Sequence, residues 1–319
     1  MALELSVQTK ELIQDENPVA GFAEMARAGF TCADFSLNQY LLNLDIYKER
    51  LNPFFNQTVE ELEAFFEPQR AAAERAGVRI HQMHMPYPIY VPQASTKVNR
   101  YLAQEVAPKS LRVAQFFDCK YIVVHGFKLR KYLGSEQAEW EQTEAFLTEL
   151  APLAKECGVT MCIENLYDGL AGHMVEGPCC DAQRAAERID RMNERFGAEV
   201  LGFCFDSGHA NLIGLDFETF LRTLGPRLKV LHLHDNDGIS DLHQIPYTFA
   251  KSRENTTSTD WDGLLRGLRA IHYEGTLNFE TAPVLTAFPD GLQRVALHTL
   301  ADIGRYWAKE IAGTDGENR

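Results

Sequence analysis

Short β-rich runs alternate with amphipathic, helix-forming stretches along this whole chain, and no other feature restricts its fold so tightly. Apolar and β-branched runs predict strands over residues 3–9, 31–37, 78–85, 120–125, 159–164, 200–206, 228–234 and 275–280. Helical patterns cover 18–28, 59–76, 95–117, 135–157, 181–195, 216–224, 261–271 and 290–311. Gly29, Gly77 and Gly158 stand as helix stops, and Asp260 is a good N-cap. Eight strands alternating with eight helices is the pattern of a (β/α)8 TIM barrel, an α/β fold. An open doubly wound sheet would carry a glycine-rich phosphate loop after its first strand, and none occurs. No Pro/Ser/Gly tract divides the chain, so residues 1–312 read as one barrel domain and 313–319 as a polar tail.

Composition narrows the partners. With 45% hydrophobic and 24% charged residues the chain reads as an ordinary soluble globular protein. Its net charge of −14 argues against a nucleic-acid surface, which needs clustered Lys and Arg. No apolar run reaches transmembrane length, and the N-terminus lacks the basic start and apolar stretch of a signal peptide. The seven cysteines (32, 119, 157, 162, 179, 180 and 204) are odd in number and include no CxxC pair. They read as reduced core thiols of a cytoplasmic protein.

Alternation within strands separates the inward face from the outward one. Thr160, Cys162 and Glu164 form one small or polar set; Gly202, Cys204 and Asp206 form the next. His232 and His234, then Thr276, Asn278 and Glu280, continue the series opposite bulky Leu231, Leu233, Leu277 and Phe279. Each set ends on its C-terminal side in a carboxylate or imidazole, and that is the end where such barrels carry their active sites. The strand over 228–234 leads into the densest group of donors: His232, His234, Asp235, Asp237, Asp241 and His243. A lone strand-end carboxylate is more often a helix cap or a loop ion pair. Four consecutive strands delivering Glu164, Asp206, His232 or His234, and Glu280 to one rim form a joint signal. Such groups would repel and desolvate one another unless a cation held them. Three carboxylates and an imidazole suit a divalent ion such as Mn²⁺, Mg²⁺, Co²⁺ or Zn²⁺.

The strand-end motifs Ile163-Glu-Asn-Leu, Phe205-Asp-Ser-Gly-His-Ala, Leu231-His-Leu-His-Asp, Asp241-Leu-His and Asn278-Phe-Glu resemble those of the xylose isomerase-like barrel superfamily. That group holds sugar isomerases and epimerases, inosose-processing enzymes and endonuclease IV. The resemblance implies Glu164, Asp206, His232 and Glu280 as metal ligands, with His232 opening the family's His-x-x-Asp pattern. It implies that His209 contacts substrate or a second metal. Glu164 and Glu280 would also be the acid and base of a proton transfer through a metal-stabilised enediolate. His84 and His125, at the ends of the third and fourth strands, read as substrate-binding or core histidines. Together with Glu164, Asp206, His209, His232, Asp241, His243 and Glu280 they also match the nine-ligand, three-zinc pattern of endonuclease IV. Against DNA repair stand the acidic charge and the absence of that family's glycine-rich continuations after Glu164 and His243.

Ketose epimerases of the group carry an arginine six residues after the strand-seven histidine, and Gly238 stands there instead. Lys128, Arg130 or Arg253 could supply the contact. Residues 235–259 read as a long binding loop whose Tyr247, Phe249, Lys251 and Arg253 could close over a polar ligand. Tyr87, Tyr90, Phe127 and Trp140 could line the pocket, with core packing as the commoner role of such aromatics. The expected activity is a metal-dependent isomerase or epimerase of a sugar or cyclic polyol. The alternatives are a multi-metal phosphoester hydrolase, a lyase or dehydratase on the same rim, and a barrel that only binds its ligand. Expected partners are the small-molecule substrate and a second copy in a homodimer, with no nucleic acid and no membrane.

Overall fold

A computed structural model describes residues 3–129, 131–132, 134–249, 259–289 and 291–313. Eight parallel strands form the central sheet: β1 (Glu4–Gln8), β2 (Cys32–Ser36), β3 (Arg79–His84), β4 (Tyr121–Val124), β5 (Thr160–Glu164), β8 (Leu201–Asp206), β9 (Leu228–His232) and β10 (Thr276–Phe279). The order β10-β1-β2-β3-β4-β5-β8-β9 follows the chain around a ring. A bridge between Leu233 and Phe279 joins its two ends. There Leu233 N donates to Asn278 O at 2.9 Å, and Glu280 N donates to Leu233 O at 3.2 Å. The chain is a single-domain TIM barrel.

Helix boundaries follow their caps. Asn17 caps Pro18–Ala28, Thr58 and Glu61 make a capping box on Val59–Ala76, and Asp260 caps Trp261–Ala270. Two stretches depart from expectation. The helix expected over 95–117 is Thr96–Tyr101 and Ala107–Phe116 joined by a π-helical turn, Leu102–Val106. The last helix is Gln293–Ala312, preceded by a separate short helix, Ala282–Ala287. After β5 an unexpected hairpin rises from the barrel, β6 (Tyr167–Leu170) against β7 (His173–Glu176).

Apolar side chains between strands and helices form the main core, from Phe22 and Met25 through Phe203 and Phe205 to Trp307. Inside the ring, Val123, Cys162, Cys204 and Val230 make a small apolar layer. Buried polar groups, Ser6, Asp34, Gln82 and Asn278, share the interior. The seven cysteines stand as free thiols, all buried except the half-buried Cys157. No helix among the described residues is long and apolar enough to cross a membrane.

Candidate active site

β5, β8, β9 and the residue after β10 bring Glu164, Asp206, His232 and Glu280 to one point at the C-terminal mouth. His232 Nδ1 lies 3.2 Å from Glu164 Oε1, 3.2 Å from Glu280 Oε2 and 3.9 Å from Asp206 Oδ2. The local fold fixes each carboxylate. Asp206 caps the short helix Ser207–Leu212, its Oδ1 accepting from His209 N at 2.6 Å. The Asn165 side chain clamps the Asp206 backbone with bonds of 2.9 and 2.8 Å, locking the ends of β5 and β8 together. Gln8 Nε2 donates to Glu280 Oε1 at 2.7 Å, which leaves Oε2 turned toward His232.

The other expected site residues join this group on both sides. His125 Nε2 and His84 Nε2 lie 2.9 and 3.7 Å from Glu164 Oε2. On the opposite flank Asp241 Oδ2 lies 3.4 Å from His209 Nε2 and 3.3 Å from His243 Nε2. His209 bridges the flank to the centre, with Nδ1 3.3 Å from Glu164 Oε1. His234 is buried, sets its Nε2 3.1 Å from Asp206 Oδ2 and stacks its ring on His243 at 3.9 Å. These ten donors therefore crowd one mouth, with Glu164 facing both the His84 and His125 side and His209 on the other.

This donor set fits a divalent cation. Glu164 Oε2 is buried and makes no hydrogen bond, although an imidazole nitrogen stands 2.9 Å away. Donor atoms of His84, His125 and Glu164 all lie within 4.8 Å of one another, as ligands of one ion can. Mixed imidazole and carboxylate donors suit Mn²⁺, Co²⁺ or Zn²⁺, and the carboxylates suit Mg²⁺. Taken alone, the protein groups are strongly polarised. Burial would raise the Glu164 carboxyl, but the charges of His232 and His125 outweigh it and hold it well below the usual range. Burial pushes His125 down to about 4 despite Glu164. His243 is held up at about 9, because Asp241 overcomes the cost of burial.

Beneath the rim lies a network that the sequence did not reveal. Asp34 Oδ2 sits 3.4 Å from His232 Nε2 and accepts from Asn278 Nδ2 at 3.1 Å and Gln82 Nε2 at 3.4 Å. Ser6 Oγ in turn donates to Asn278 Oδ1 at 2.8 Å. The His232 ring thus spans from one carboxylate below to three above. The same alternation that exposed Glu164 and Asp206 would have marked Ser6, Gln8, Asp34 and Gln82, had the first three strands been read for inward polar positions.

The rim opens into a cavity of about 360 Å³. Of the expected lining residues, Tyr87, Tyr90 and Lys128 face it, and Asn43, Tyr47 and Tyr167 join them. Phe127 and Trp140 do not. Phe127 packs against Phe146 behind the wall, and Trp140 is buried in the main core under the Arg188 guanidinium. Tyr247 also stands apart, accepting from Trp307 Nε1 at 2.8 Å. Asp235 ties both ends of its long loop, accepting from Phe249 N at 3.2 Å and Thr259 Oγ1 at 2.6 Å. Asp237 closes a turn through Ile239 N and Ser240 N. Arg130, Lys251 and Arg253 fall outside the described residues, as does the tail from 314 to 319.

Comparison with known proteins agrees with this architecture. In Sinorhizobium fredii, uncharacterized protein y4fM is 35% identical over 101 residues, 32% of this chain and 30% of that one. Uncharacterized protein MJ1311 of Methanocaldococcus jannaschii is 25% identical over 210 residues, 64% of this chain and 65% of that one. The matches thus span 30% and 65% of those relatives' own lengths. D-psicose 3-epimerase from Clostridium cellulolyticum H10, solved with D-tagatose, superposes with a TM-score of 0.66 at 15% identity, over 96% of this chain and 99% of that one. The 3-keto-D-glucoside 4-epimerase YcjR from E. coli superposes with a TM-score of 0.63 at 15% identity, over 94% and 99%. At these identities the likeness is one of fold. The model of the xylose isomerase-like TIM barrel matches residues 22–298, nearly the whole ring of strands, and this chain belongs to that family.

Proposed function

We propose that this protein is a divalent-metal-dependent epimerase or isomerase of a sugar or cyclic polyol, moving a proton off and back onto carbon. One observation carries the reading: Glu164 and Glu280, from β5 and the end of β10, face the same His232 nitrogen at 3.2 Å each. Two carboxylates converging from separate strands can take a proton from one face of a bound substrate and return one at another. The sugar epimerases among the solved structures of this fold support it. A cation bound by Glu164, Asp206, His232 and Glu280 would supply positive charge where negative charge builds on the substrate's oxygens.

The two glutamates have unequal surroundings. Glu164 is 1% exposed and crowded by four imidazoles, whereas the Glu280 side chain is 10% exposed and anchored through one oxygen by Gln8. Glu280 Oε2 is the atom open to take a proton from a ligand in the cavity, and Glu164 holds the opposite side. His209, braced by Asp241, and the pair His84 and His125 are donors for substrate hydroxyls, and the Tyr87 ring over His125 excludes water. Glu164→Gln and Glu280→Gln should each lower epimerisation of a ketose panel by about 10²–10⁴-fold, the usual contribution of a general acid or base. Chromatography of the epimeric products reads this out. Retention of near-wild-type rates by both variants would sink the assignment.

A second reading has its own observation, the overlapping donor groups that include Glu164, His232 and Asp241. Several ions held there would suit a phosphoester hydrolase. Elemental analysis separates the two, since about one ion per chain fits the epimerase and two or three fit the hydrolase. The net charge of −14 weighs against nucleic acid as that substrate.

A further inference from the structure

Lys128 stands at the cavity wall just beyond β4, and no other lysine or arginine lines the cavity among the described residues. Its Nζ lies 4.8 Å over the Tyr167 ring, and that ring meets His209 at 5.2 Å. The ammonium is therefore held beside the rim rather than out in solvent. Three carboxylates act on it electrostatically, Asp168, Asp241 and Glu164, and each is engaged elsewhere. Asp168 Oδ1 accepts from Gly169 N at 2.7 Å, Asp241 faces His209 and His243, and Glu164 faces His125, His209 and His232. Burial pushes the Lys128 ammonium below its ordinary range, the mark of a cation short of a close counter-charge.

An ammonium kept in a partly buried cavity is costly unless an anion meets it. Neutral hydroxyls would be served at lower cost by an amide, and Asn43 and Gln93 already line the same mouth. We propose that Lys128, laid across Tyr167, is an anion subsite, so that the substrate carries an acidic group, a carboxylate or a phosphate, away from its reacting carbon. The inference rests on reading the rim as a sugar site and names the class of sugar that it takes. It also answers the gap left by Gly238, because a cation comes from the opposite side of the mouth.

Binding tests this without turnover. Isothermal titration of the metal-loaded protein would compare D-fructose with D-fructose 6-phosphate, and D-glucose with D-glucuronate, with inorganic phosphate alone as a further arm. The wild type should bind at least one acidic sugar about fivefold or more tighter than its neutral counterpart, and the better arm identifies phosphate or carboxylate. In Lys128→Met that ratio should fall by at least about fivefold, and Lys128→Arg should restore part of it. Raising the ionic strength should weaken only the acidic sugar in the wild type, a check that needs no variant. A smaller preference in the wild type, or a ratio that Lys128→Met leaves unmoved, would overturn the proposal. A protein that selects acidic sugars yet exchanges no carbon-bound proton would keep the subsite and lose the epimerase reading.

Discussion

His232 is gripped from both ring nitrogens, and that grip decides what the residue can do. With Nε2 toward Asp34 at 3.4 Å, a proton kept on that nitrogen would leave Nδ1 free to serve a cation held among the three carboxylates. Asp34→Asn should therefore weaken Mn²⁺ or Co²⁺ binding by about 10–100-fold, read by competition with a chelating dye, while the fold persists. Unchanged affinity would mean that Asp34 only fills the barrel. A tighter constraint falls on Gly208, where an added Cβ would come within 1.9 Å of the His234 ring. Its place in Asp206-Ser-Gly-His is thus explained by the ring that orients Asp206. At this scale the sequence made the candidate donors legible, because Glu164, Asp206 and Glu280 close inward-facing sets at strand ends. Gln8 and Asp34 stayed hidden. Their partners lie 272 and 198 positions away in the chain, and only closure of the ring brings them together.

Elements were readable where local chemistry defines them and obscure where it does not. The helices Pro18–Ala28 and Val59–Ala76 begin and end as their caps and glycines indicate. The β6–β7 hairpin escaped because its strands are only four residues each and its turn is Ala171–Gly172, with φ of 52° and 85°. Such a turn usually announces itself with Asn-Gly or Asp-Gly. β3 carries a separate prediction. His81 is buried there, its Nδ1 2.9 Å from Arg79 Nη1, and burial followed by the Arg79 charge pushes it down to about 4. The unfolded chain takes up a proton near pH 6.5 that the folded one refuses until about 4, so folding stability falls as pH drops through that window. The His81 share is on the order of 3 kcal/mol. Urea unfolding of His81→Gln should show a shallower loss between those limits than the wild type, and parallel curves would contradict it.

For the whole molecule, the alternation of eight strands and eight helices was enough to specify a closed barrel, since each unit repeats one simple pattern. Closure itself rests on a single bridge, Leu233 to Phe279, and it is this join that brings His232 of β9 within reach of Glu280. One ring thus gathers donors from β3, β5, β8, β9 and the loops after β4, β9 and β10 into one mouth. What the sequence could not convey was the shape above that mouth, where the hairpin and the 43–47 helix bring Tyr167 and Tyr47 around the cavity beside Lys128. Proton transfer at carbon is the claim on which the functional reading stands, and NMR in D₂O tests it most directly. Incubated with a panel of ketoses and their acidic derivatives, the metal-reconstituted protein should place deuterium on the carbon next to the carbonyl, and chelation should stop it. No deuterium in any sugar, together with cleavage of bis(p-nitrophenyl) phosphate, would contradict proton transfer and leave the multi-metal hydrolase in its place.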